Sequence, residues 1–244
     1  MVEKYERRYS ARPAGLDTAA ARAEIDEGLR AYMLKVYNYM ASGVLLTGIV
    51  AYFTAQSPAL LNAIYGTPLM WVVMLAPLGF VIFLSARINK MSASAAQTTF
   101  WIYAGVMGLS LAFIFIAYTG QSIARVFFIT AASFGSLSLY GYTTKKDLSG
   151  WGSFLFMGLI GIIIASVVNM FMASTMMSFV ISVVGVLVFA GLTAYDTQQI
   201  KSLYFAGDGH EVATKKAVMG ALRLYLDFIN LFLMLLRLMG GGRS

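Results

Sequence analysis

Two carboxylates stand where a carboxylate is hard to place. Asp196 lies in Gly191-Leu-Thr-Ala-Tyr-Asp-Thr-Gln-Gln-Ile-Lys201, and Asp227 lies in Leu224-Tyr-Leu-Asp-Phe-Ile-Asn-Leu-Phe232. Each falls in, or at the edge of, a long apolar run. An ionised acid there costs about 2.5 kcal/mol or more unless it is paired, solvated or neutralised. The other nine of the eleven acids fall in the N-terminal segment or in connections between apolar runs. This asymmetry is the main clue to function.

If the two carboxyls meet, they titrate as a unit with one proton shared between them. Loss of that proton creates repulsion, and gain of a second removes the bridging acceptor. Either change can displace the elements that carry the acids, which is the behaviour of a pH-sensitive gate. The same oxygens suit transient contact with a hard cation such as calcium, so the metal expectation is Asp196 and Asp227 with no resident cofactor.

Arg223 and Asp227 are four residues apart, and Asp227 and Asn230 three, so all three share one face of a helix. That spacing leaves a second reading open, in which Arg223 pairs with Asp227 and locks its helix in register. Asp196 likewise has the alternative of a carboxylate in water at a helix end. Two acids sharing a proton would also suit an intramembrane aspartyl protease. Those enzymes, however, carry Gly-x-Gly before the second aspartate, where this chain has Leu224-Tyr225-Leu226. No enzymatic activity is expected. Histidine–carboxylate metal spacing, a Ser/His/Asp set and a phosphate-cradling glycine loop are all missing from the sequence. The single histidine, His210, sits beside Asp208 and Glu211 and reads as a solvated surface residue.

The elements that must hold these residues are membrane spans. Of 244 residues, 59% are hydrophobic and only 12% charged, and the mean hydropathy is +0.74. Ordinary soluble domains carry about twice that share of charge. Apolar stretches of about 20 residues recur along the chain, the length needed to cross a bilayer. They run from about residue 32 to 53, 69 to 86, 98 to 118, 123 to 142, 151 to 171, 176 to 195 and 217 to 239. The expected fold class is an all-α membrane protein with seven transmembrane helices. Residues 1–30 form an N-terminal segment, 31–240 the membrane domain and 241–244 a tail.

The N-terminal segment mixes bases with six acids and precedes no short apolar signal, so it reads as neither a transit peptide nor a signal peptide. Asp17 is placed to cap a helix starting at Thr18; the alternative is an anchor without fixed structure. Pro77 falls inside the second span and is expected to kink it, and Gly158 and Gly161 in the fifth invite close helix approach. Trp71, Trp101 and Trp151 sit near span starts as interfacial anchors.

A net charge of +7 could suggest nucleic acid in a soluble protein, but here the bases gather at span ends and no basic cluster interleaves with exposed aromatics. Nucleic acid is excluded as a partner; the lipid bilayer is the expected one. Arg87 and Lys90, Lys145 and Lys146, and Lys201, Lys215 and Lys216 mark alternate connections, whereas the intervening ones hold no Lys or Arg. That pattern places the N-terminus in the cytoplasm. Seven spans then place the C-terminus outside. Arg125, near the outer interface, is expected to snorkel. The absence of cysteine rules out disulfides and thiolate metal sites.

The two aspartate motifs together closely resemble the Bax inhibitor-1 family, also called the transmembrane Bax inhibitor motif family. Tyr140-Gly-Tyr-Thr-Thr-Lys-Lys-Asp-Leu-Ser-Gly-Trp-Gly152 resembles its bacterial branch. The resemblance runs from the first span onward. It implies a seven-helix bundle with the last helix enclosed by the other six, in a bacterial inner membrane. It also implies that Asp196 and Asp227 form a hydrogen-bonded dyad that senses pH and gates calcium leak, with Arg87 associated; Arg223 and Asn230, on the helix face of Asp227, are the other expected supporting residues. Bacterial members are linked in addition to restraint of a membrane-bound ATP-dependent protease, which makes a non-transporting regulator the alternative function.

Overall fold

The computed structural model describes residues 14–242, with side chains from residue 24 onward. Helix α1 spans Ala14–Gln56, α2 Pro58–Tyr65 and α3 Leu69–Arg87; a 3₁₀ turn at Ile88–Lys90 follows. Then come α4 (Ala93–Leu111), α5 (Ile114–Ala117), α6 (Gly120–Thr143), α7 (Ser149–Met172), α8 (Thr175–Ser202) and α9 (His210–Met239). Seven helical stretches among the described residues are long and apolar enough to cross a membrane: α1, α3 with its 3₁₀ turn, α4 with α5, and α6 to α9. The all-α, seven-span expectation holds.

Short polar residues start several of these helices. The Ser92, Thr119 and Ser174 hydroxyls accept from the backbone N–H groups of Ala95, Ser122 and Met177, satisfying donors that helix starts leave open. Pro77 is buried inside α3, which continues through it to Arg87.

Helix α9 is the centre of the bundle. Its apolar stretch is 72% buried, against 11% for α7 and 17% for α3. It packs against α1, α4, α6 and α8, while α7 rests chiefly on α8 and α3 on α4. Without a hydrophobic driving force between helices in lipid, packing and hydrogen bonds must hold such a bundle together. Both are present. Tyr225 of α9 donates to Thr47 of α1 at 2.6 Å, and Thr47 donates on to the Ala104 carbonyl of α4 at 2.8 Å. The Ser138 hydroxyl of α6 joins Tyr37 of α1 at 2.7 Å to Thr197 of α8 at 2.8 Å. At Gly141, a methyl group would stand 2.2 Å from the Ala194 carbonyl oxygen; α6 and α8 therefore touch backbone to backbone there. Gly158 lies against the Val188 side chain, whereas Gly161 faces open space.

Several boundaries differ from the sequence reading, including the start of the seventh span, which lies at His210 and not near residue 217. Helix α1 is already helical at Ala14, so Asp17 lies within the helix and does not cap it; residues 1–13 lie outside the described residues. The first connection contains α2, capped by Ser57 and opened by Pro58 at its first position. The third span breaks after Leu111, and the Tyr65 hydroxyl donates to the Leu109 carbonyl at 2.7 Å beside the break. The sixth span continues seven residues past Tyr195 to Ser202, because Thr197 and Ile200 are fully buried and extend its packed face.

At the far end, Gly240–Gly242 is pinned. The Gly241 carbonyl accepts from Thr119 N–H at 3.3 Å, and its N–H donates to the Ser122 hydroxyl at 3.0 Å. Arg125, expected to snorkel, donates from Nη2 to the Met239 carbonyl at 3.0 Å, satisfying an acceptor that the end of α9 leaves open.

Candidate functional site

The two aspartates reach one another because α8 and α9 are consecutive, antiparallel and joined by a seven-residue turn, with one helix central and the other beside it. Asp196 lies six residues before the end of α8, about 9 Å along the helix axis. It is therefore inside the helix, which the longer α8 makes possible. It is half-buried, while Asp227 is only 4% exposed.

The carboxyls lie within hydrogen-bonding reach of each other. Asp227 Oδ2 is buried and finds no donor among the described residues. Two ionised carboxylates are acceptors only. A proton held between them resolves both the unsatisfied oxygen and the like-charge contact. Two carboxyls so placed can share a single proton.

Arg223 is exposed and lines the same cavity as the acids. Its guanidinium exerts an attractive field on both. The in-helix Arg223–Asp227 ion pair does not form. Among the described residues the ion pairs are Lys215–Glu211, at 3.6 Å, and Lys216–Asp208. Asn230, one turn beyond Asp227, is half-buried; its amide donates to the Leu226 carbonyl at 2.8 Å, which leaves its own oxygen as an acceptor. Arg87 is exposed at the end of α3 and does not line this cavity. His210 is exposed and opens α9, one residue beyond the connecting turn.

The cavity over the dyad measures about 570 Å³ and is open to one side. Besides the residues above, its walls include Ser149 and Ser153 from α7 and Tyr195 from α8. The two serines escape a sequence reading because small hydroxyl residues are ordinary packing residues in membrane helices; their four-residue spacing at the start of α7 was the available signal. Gln198 fixes that helix start against α8. Its Oε1 accepts from Leu148 N–H at 2.8 Å, and its Nε2 donates to the Lys146 carbonyl at 2.8 Å. Carboxylates, hydroxyls and a side-chain amide bring oxygens of the kind hard cations take, beside the Arg223 guanidinium and the apolar Phe156, Leu192 and Leu226. No group of three or more His, Cys, Asp or Glu gathers among the described residues, so any cation contact here is made by a pair of acids and neutral oxygens.

The cavity continues past Leu159, Phe189 and Asn230 into a larger groove of about 910 Å³. That groove extends between α7, α8 and α9 to Thr175 and Arg237. Cavity and groove together follow one seam along α9.

Comparison with known proteins agrees with this architecture. The profile of the family described as inhibitor of apoptosis-promoting Bax1 matches residues 29–244. An uncharacterized protein of Rickettsia prowazekii, RP147, is 49% identical over 94% of this chain and 97% of its own length. The inner membrane protein YbhL of Escherichia coli is 48% identical over 88% of this chain and 94% of its own. An uncharacterized protein of Caulobacter vibrioides is 45% identical, over 92% and 94% respectively. With a family profile spanning the whole membrane domain, and relatives near half identity over nearly their full lengths, this chain belongs to the Bax inhibitor-1 family of membrane proteins.

Proposed function

We propose that this chain is a pH-sensitive leak channel for calcium in a bacterial inner membrane, with the Asp196–Asp227 pair as its gate. One observation carries the reading: a buried Asp227 carboxyl, one oxygen of which has no protein donor, lies within hydrogen-bonding reach of a second carboxyl, and both line an open cavity. A pair of that kind must change its contact when it gains or loses a proton. The helices it joins are the central α9 and α8, the helix packed most extensively against it, so a change at the pair moves the core and not the rim. The charged and titratable groups that line the cavity beside the pair are Arg223 and Tyr195. The pair remains a gate and is assigned no catalytic role.

Calcium enters as the passing ion. The oxygens lining the cavity suit a hard cation, and two acids without a third keep any contact weak enough to release it. The alternation of basic and base-free connections supports a cytoplasmic N-terminus. The Escherichia coli relative, named an inner membrane protein, supports the choice of membrane.

The test is calcium flux into dye-loaded proteoliposomes over a series of pH values. The wild-type chain is expected to leak with a pH-dependent rate. Asp196→Asn and Asp227→Asn each replace the shared proton by a permanent amide donor and should flatten that dependence while the protein still elutes as a single species. Flux and pH dependence both unchanged in the two variants would end the gating proposal. No flux at any pH would end the channel proposal.

A further inference from the structure

The larger groove along the seam is unlike the dyad cavity. It is walled by Ile163 and Val167 of α7, Phe179 of α8, and Leu233 and Met234 of α9. Three of its polar side chains engage one another or nearby backbone. Asn169 donates to the Ser178 hydroxyl at 2.7 Å and accepts from Ser174 N–H at 3.1 Å, while Ser182 donates to the Ser178 carbonyl at 2.8 Å. Tyr118, Ser166, Thr175 and Asn230 add polar groups at intervals, and the rest of the lining apart from Arg237 is mostly hydrocarbon.

The seam opens sideways because α7 rests chiefly on α8 and buries little of itself. The surroundings on that side are bilayer. A volume of about 910 Å³ falls within the range of about 300–1,000 Å³ that holds small organic ligands. It is large enough for a flexible chain.

A charge stands at the mouth. Arg237, in the last turn of α9, lines the groove and is exposed. It makes no ion pair among the described residues, and no acidic side chain lines the groove. It is not needed to close the end of α9, where Arg125 already reaches the Met239 carbonyl. An apolar slot open to lipid, with an uncompensated guanidinium at the interfacial end, is complementary to one kind of molecule.

We propose that this groove is a binding site for an anionic phospholipid, with one acyl chain lying between α7 and α9 and the phosphate against Arg237. The guanidinium offers paired N–H donors to phosphate oxygens, and the chain replaces an empty apolar slot by dispersion contacts. The chain would end at Leu159, Phe189 and Asn230, where the groove meets the dyad cavity. The site does not depend on calcium passage, and its test reads no flux.

The experiment uses the full-length chain in proteoliposomes of phosphatidylcholine with a trace of phosphatidylglycerol bearing a photoreactive group midway along one acyl chain. After photolysis, adducts are mapped by mass spectrometry. Adducts are expected to concentrate on Ile163, Phe179 and Met234, above those on Leu75 and Leu78, which are exposed on the outward side of α3. Arg237→Gln should lower groove labelling about fivefold, the equivalent of ~1 kcal/mol for one basic residue at anionic lipid. Arg237→Lys should restore most of it, and a phosphatidylcholine probe should label the groove as weakly as the Gln variant. Equal labelling of the groove and the α3 face would overturn the site. Groove labelling indifferent to head group and to Arg237→Gln would overturn the anionic lipid.

Discussion

Ala173 is the described non-glycine residue with a positive φ, at 49°. It ends α7, and its N–H donates to the Asn169 carbonyl at 2.8 Å. Left-handed backbone costs an L-residue about 1–2 kcal/mol, whereas glycine adopts it freely at the expense of unfolded-chain entropy. Ala173→Gly is therefore expected to raise stability by about 0.5–1 kcal/mol, read as a higher melting temperature in detergent. Nothing in the type of residue 173 announces this conformation; it follows from the tight two-residue connection between α7 and α8. Asp196 and Asp227 were legible for the opposite reason. A carboxylate in an apolar run is costly enough to stand out on composition alone. That Arg223 would leave Asp227 unpaired was not legible, since spacing along one helix says which groups can meet but not which of them do.

At the level of the helices, the contact between α6 and α8 sits close to the proposed gate. Gly141 lies against the Ala194 carbonyl, two residues before Asp196. Gly141→Ala inserts a methyl where backbone stands, and helix separation is the one available response. Overpacking of this kind costs about 1–3 kcal/mol. The expected result is a lower melting temperature together with an altered pH profile of leak, because α8 carries Asp196 away from α9. An unchanged melting temperature would show that the helices separate freely at this point. Span number and approximate position were plain from hydropathy, which depends only on the thickness of the bilayer. The missed boundaries all turned on polar detail. Tyr65 steadies the break after Leu111 from a distant part of the chain, and the extra turns of α8 are held by Thr197 and Gln198 contacts to other helices. Such partners cannot be paired by reading along one segment.

For the molecule as a whole, the decisive feature is the position of α9 inside the other helices. Hydropathy did not indicate that position: α9 is less apolar than α7, with a mean hydropathy of 1.6 against 2.4, yet far more buried. In lipid a buried helix has no need to be the most apolar, because the most apolar surface faces the acyl chains. The family resemblance, and not the pattern of residues, carried that expectation.

The place of α9 in the chain has a consequence for biosynthesis. Six spans leave the ribosome and enter the membrane before the helix they surround has been made. Until then Thr47 lacks its Tyr225 partner and Lys35 lacks Thr214, to which it donates at 2.7 Å in the finished fold. Helices that insert one by one associate afterwards, so here assembly must wait for the last of them. A chain stopped after Gly209 is expected to insert and then be cleared, with a much shorter half-life than the full chain in a pulse-chase experiment. Supplying the remaining segment as a separate polypeptide should lengthen it again. Equal lifetimes for the truncated and full chains would mean that the first six spans hold together without their core.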